Sequence, residues 1–246
     1  IRTFRRRLAS IDSAPQFAIL GIASGFLTGL VIIAFRLAIE WPLGRLLEDG
    51  PESFETLDPV AAFSLPIAGS ILLVLIFSLL SKTNRRVGVV HVIERLARHQ
   101  GHMPLRNTVA QFITGVVALA SGHSGGREGP AIHLGAAGSS LIGQYLQLPN
   151  NRVRVLVGCG AAAAISASFN TPIAGVIFSM EVIVMEYTIA GFIPVILASV
   201  VAAVMTQIVF GSLTAFDVPT VAMSSFVDIP ILVMEGAFIG VIAAAY

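Results

Sequence analysis

The chain has 246 residues, 55% of them hydrophobic and 12% charged, with a mean hydropathy of +0.86. An ordinary soluble domain carries roughly a quarter charged residues, so the composition excludes that class and indicates a membrane protein. The net charge of +1 gives no reason to expect nucleic acid as a partner, and the single cysteine, Cys159, excludes an intrachain disulfide and reads as a small buried hydrophobe.

Residues 1–15 form an Arg-rich leader, IRTFRRRL at its start, which is expected to be a cytoplasmic segment. The apolar stretch behind it is too long for the h-region of a cleaved signal peptide. The remainder, 16–246, is expected to be one transmembrane domain, and a chain that opens on Ile and stops inside ILVMEGAFIGVIAAAY reads as part of a longer molecule. Apolar segments are expected at about 16–39, 60–80, 106–121, 131–146, 153–168, 172–190, 192–210 and 229–246. Several fall short of the ~20 residues that a straight spanning helix needs. Gly and Pro interrupt them, so the expected fold is all-α and polytopic, with tilted and broken helices whose irregular backbone is buried in protein or lines a wet cavity.

The loops set the orientation. Arg2, Arg5, Arg6 and Arg7 precede the first segment, and the next loop carries Arg45 against Glu40, Glu48, Asp49, Glu52, Glu55 and Asp58. Then come Lys82, Arg85, Arg86, Arg95, Arg98 and Arg106. The excess of Lys and Arg places residues 1–15 and 81–106 in the cytoplasm. Within the latter, GVVHVIERLARHQG alternates apolar and basic residues at near-helical spacing, which predicts a short helix lying at the cytoplasmic surface or entering the membrane from it.

Residues 121–130, SGHSGGREGP, place four glycines, a proline and the pair Arg127/Glu128 between two apolar segments. Pro130 is expected at the first position of the following helix, where a missing N–H costs nothing. Gly126 to Gly129 then form the turn before a helix N-terminus, whose unpaired amides and dipole favour an anion. A helix starting inside the membrane aims those amides at a site near the midplane. Glu128, itself an anion, can occupy such a site and leave it when protonated. Arg127 raises the local anion concentration. A second break, SFNTPIAG, is expected to stop one helix and restart another, with Asn170 or Thr171 capping the new helix and Pro172 in its first turn. The small residues Gly160 to Ala164 are expected to permit close helix packing.

GREGP, followed some forty residues later by GAAAA, SFNTPIAGVIF and an acid at Glu181, closely resembles the CLC family of chloride channels and chloride–proton antiporters, over about Val87 to Glu186. The resemblance implies a voltage-gated homodimer in the cell membrane, one chloride pathway per subunit and an inverted repeat of which this chain is the first half. It makes Glu128 the gate and Arg127, Glu128, Gly129 and Gly88 the anion-binding residues, with Glu181 an inner polar candidate. Protons are the second ion under the antiporter alternative. The family's Gly-Ser-Gly-Ile-Pro motif aligns with Arg86 to Val90, so Val87 stands where a serine is usual. Val182 stands where proton-coupled members carry a second glutamate. No cofactor, metal or enzymatic activity is implied.

One rival reading comes from GHSGG, Gly122 to Gly126, which fits the G-x-S-x-G pattern of serine hydrolases. It requires a histidine base for Ser124 from among His91, His99, His102, His123 and His133. Those histidines are expected to be solvated or capping rather than a metal cluster, since their spacing does not suit a tetrahedral site.

Overall fold

The computed structural model describes residues 14–47, 53–185, 189–211, 225, 226 and 228–245. Residues 1–13, Glu48, Asp49, Glu52 and Glu186 lie outside them. No strand occurs among the described residues, and the chain is all-helical as expected. In order the helices are α1 (Ala14–Leu46), a 3-10 turn at Phe54–Thr56, α2 (Pro59–Leu79), α3 (Gly88–His99), α4 (Leu105–Ala120), α5 (Glu128–Tyr145), α6 (Asn150–Phe169), α7 (Pro172–Phe178) running into a π-helical turn at Ser179–Val184, α8 (Ile189–Phe210) and α9 (Asp228–Ala245). Among the described residues, five helices are long and apolar enough to cross a membrane: α1, α2, α6, α8 and α9. The protein is an integral membrane protein. The chain divides into two compact units, Ile1–Ala215 and Phe216–Tyr246. The second contains α9, whose Asp228 carboxylate accepts from the Ser225 amide at 3.1 Å.

In the first unit α6 is the axis. It packs against α1, α5, α7 and α8, and its run from Leu156 to Ala164 is buried, including Cys159. Small residues make this possible. A Cβ added at Gly160 would overlap the carbonyl oxygen of Gly135 on α5, and one at Gly135 would overlap that of Gly160, so the two backbones touch where they cross. The expected packing role of Gly160 to Ala164 is what the structure shows. A second close approach joins α1 to α8. Gly21, Gly25 and Gly29, spaced by four and hence on one helix face, lie against Pro194, Ala198 and Met205; a Cβ at Gly21 or Gly25 would overlap the facing backbone, and one at Gly29 would meet the Met205 sulfur.

Two segment boundaries differ from expectation. The apolar reading ended the first segment at residue 39, but α1 continues to Leu46, carried through the charges by the i,i+4 pair of Arg36 and Glu40. The segment expected over 172–190 is broken. The chain widens into the π turn at Ser179, whose hydroxyl donates to the Gly158 carbonyl at 2.7 Å, and the turn seats Val184 against Gly158. At the preceding break Pro172 does open α7. Thr171, one of the two expected caps, is its N-cap residue by position. Asn170 instead ends α6 in the left-handed conformation at φ 56°, and the Thr171 side chain makes no capping bond.

Candidate functional site

The site is built where α4 ends and α5 begins. Gly122, at φ +76°, closes α4. Its amide bonds the Leu119 carbonyl at 3.2 Å and the His123 amide bonds that of Ala118 at 3.2 Å, the reciprocal pair that terminates many helices on a left-handed glycine. A Cβ there would also lie 3.1 Å from the Phe54 ring. Replacing Gly122 with Ala is therefore expected to cost about 1–2 kcal/mol from the left-handed backbone alone, read as a lower midpoint of thermal unfolding in detergent.

His123 is held on both sides, by Ser121 Oγ at Nδ1 and by Ser70 Oγ at Nε2, each at 2.9 Å. It thereby ties the end of α4 to α2. Ser124 is exposed, and among the described residues no hydrogen bond joins it to a histidine.

Beyond this anchor, Ser124, Gly125 and Gly126 are exposed, Arg127 is half-buried and Glu128 is exposed. α5 starts at Glu128 with Arg127 as its N-cap. Pro130 is thus its third residue, not its first, and still within the turn where a missing N–H has no intrahelical acceptor to leave. The first intrahelical bond runs from the Ala131 amide to the Arg127 carbonyl at 3.0 Å. The amides of Glu128 and Gly129 come before it, and around Gly129 there is open space on the side a Cβ would take. The Glu128 side chain folds back over Gly126, where its Oε2 occupies the place of a Cβ. Only glycine at 126 leaves that position to the carboxylate.

Gly88 opens α3 with φ +81°, and its amide donates to Gln111 Oε1 at 2.6 Å. Val87, the N-cap, has no side-chain oxygen for the task, and Gln111 on α4 supplies one across the fold. Sequence reasoning missed Gln111, although a polar residue midway through the apolar 106–121 segment was the available signal. It also missed a histidine pair. His91 Nδ1 and His133 Nε2 are 2.9 Å apart, with the rings stacked at 5.2 Å and 24° and both residues buried. The first turn of α3 is thereby bonded to the second turn of α5. These two are neither solvated nor capping, unlike the exposed His99. Glu181 lies in the π turn and is exposed, beside half-buried Val182. On the α3 face Arg86 Nη1 donates to Glu94 Oε1 at 2.5 Å, and this bond holds the Glu94 carboxyl below its usual range.

The sequence profile described as voltage gated chloride channel matches residues 69–246, more than two thirds of the chain. The chain belongs to this family. Its similarity to CLC proteins extends further. It is 31% identical over 211 residues to a ClcB-like chloride channel protein of Ralstonia nicotianae, covering 83% of this chain and 49% of that one. It is 32% identical over 186 residues to an H(+)/Cl(-) exchange transporter ClcA of Salmonella arizonae, covering 72% and 38%. In fold it resembles the crystal structure of a CLC-type fluoride/proton antiporter, with a TM-score of 0.74 at 23% identity over 96% of this chain and 57% of that one. It also resembles a slow cyanobacterial Cl-/H+ antiporter, with a TM-score of 0.68 at 21% identity over 93% and 55%. The chain thus spans between 38% and 57% of the length of these four proteins.

Proposed function

We propose that this chain supplies the first half of a CLC-type pathway that carries chloride and similar small anions across a membrane, with Glu128 as its gate. The observation that carries the reading is the start of α5, where two amides precede the first intrahelical bond and a carboxylate on the same turn folds back over a glycine. An anion at a helix N-terminus is stabilised by those donors and by the dipole. The ionised Glu128 competes for that position and the protonated acid gives it up, while Arg127 adds positive charge at the entrance. Gly88 contributes the second helix start, its own amide committed to Gln111, so an anion there meets the dipole end of α3. Glu181 is an inner polar position, and the hydrophobic Val182 beside it leaves proton coupling without the second acid.

The working assembly is a homodimer in the cell membrane, with the N-terminus and the basic 81–106 stretch facing the cytoplasm. The test is chloride efflux from vesicles holding the full protein, with a pH gradient imposed. Efflux no faster than from protein-free vesicles overturns the reading. A reversal potential that follows chloride alone identifies a channel, and one displaced by the pH gradient identifies proton exchange.

A further inference from the structure

Between the α2–α3 turn, α3 and the start of α4 lies a cavity of about 290 Å³ whose charged lining consists of Lys82, Arg86, Arg95, His91, His99 and Glu94. Its size is at the lower end of small-ligand sites, which run from about 300 Å³ upward. Its charge is lopsided, because three permanent cations face one carboxylate, and that carboxylate is already bonded to Arg86. The walls are fixed. Asn107, which also lines the cavity and is 1% exposed, donates through Nδ2 to the carbonyls of Thr83 and Arg86, both at 2.9 Å, pinning the turn that carries Lys82 and Arg86. Arg95 is oriented by Nε donating to the His102 carbonyl at 2.6 Å.

We propose that this cavity binds a phosphate-bearing anion, foremost the headgroup of an anionic lipid. Two arginines and a lysine lining one small space match the several oxygens of a phosphate better than a single halide, since the guanidinium nitrogens not already bonded to Glu94 and the His102 carbonyl can pair with an oxyanion. The lipid source follows from the surroundings. α2, long and apolar enough to span a membrane and only 6% buried over its apolar window, ends at Leu79, three residues before Lys82. Leu79, Val90 and Leu105, each next or near in the chain to a lining residue, are 80%, 79% and 58% exposed. A basic pocket at the end of a spanning helix, with exposed apolar residues adjoining its lining in the chain, is what the headgroup region of a bilayer would meet. The inference is independent of the gate assigned to Glu128, which the test leaves intact.

The test follows acylation of Lys82 by an N-hydroxysuccinimide ester, read by peptide mass spectrometry on the full protein in detergent. Three probes are compared: dioctanoyl phosphatidylglycerol, dioctanoyl phosphatidylcholine and inorganic phosphate. Phosphatidylglycerol is expected to slow the reaction at least about threefold and phosphatidylcholine to leave it unchanged. Arg86→Gln, which removes a charge-assisted donor, should raise the phosphatidylglycerol concentration required by roughly tenfold. Glu94→Gln should lower it, a gain that a folding defect cannot imitate. Protection by inorganic phosphate equal to that by phosphatidylglycerol upholds the phosphate site and assigns it to a soluble phosphate compound. Equal protection by phosphatidylcholine, no protection by either phosphate probe, or a Glu94→Gln protein that needs no less ligand overturns the proposal.

Discussion

If Glu128 gates the proposed pathway, replacing it with Gln is expected to leave anion flux high and flat across external pH, where the parent's flux is expected to rise as the pH falls. The amide keeps the shape of the carboxyl but carries no charge at any pH, so it competes for the α5 amides no better than the protonated acid does. A carboxylate at an exposed helix N-terminus gains about 0.3–1 kcal/mol, which is a factor of roughly 2–5 in occupancy. At neutral pH the variant should exceed the parent by about that factor, and the two should converge in acid. Glu128→Ala should behave alike, since it too removes the competing charge. Initial rates of chloride efflux from vesicles between pH 4 and pH 8 decide the matter. A Gln variant that keeps the parent's pH profile removes Glu128 from the gate.

The second large effect is structural. Gly160→Ala is the smallest side-chain addition available, and in a helix interior it would ordinarily gain about 0.5–1 kcal/mol. Here the new methyl would overlap the Gly135 carbonyl and also the Ser139 hydroxyl, both on α5. The hydroxyl is the end of a short, buried side chain bonded to Ser24, and the carbonyl is backbone that cannot turn aside, so α5 and α6 must part along their crossing. Overpacking of this kind costs about 1–3 kcal/mol or more, and at this position it separates the helix carrying Glu128 from the axis of the fold. Gly138→Ala is the matched control, because a Cβ there meets only Leu27 at 3.7 Å. The expected result is a lower unfolding temperature for the first variant and an equal or higher one for the second, each followed by fluorescence-detected size exclusion after heating. Equal behaviour of the two would refute the close crossing.

Much of this architecture was legible because its causes act along the chain. Apolar runs, prolines at 130 and 172 and the glycines of SGHSGGREGP report burial, lost amide donors and backbone freedom residue by residue, and they located the helices and the turn that starts α5. The four-residue spacing of Gly21, Gly25 and Gly29 is an equally local signal, one that sequence reasoning did not take up. The family resemblance rested on the same residues, and the profile match from residue 69 onward bears it out.

What only the tertiary structure decided are the partners that close gaps in one element with groups from another. Gln111 reaches the Gly88 amide across 23 positions of sequence, and His91 meets His133 across 42. The π turn at Ser179 exists because Gly158, on a different helix, offers both a carbonyl and the space for Val184. The physical reason is the range of the forces. Helix propensity and hydrophobic periodicity are properties of a short window, so one sequence displays them unaided. A hydrogen bond between distant residues depends on where whole helices cross, and that crossing is set by which side chains are small enough to let two backbones touch.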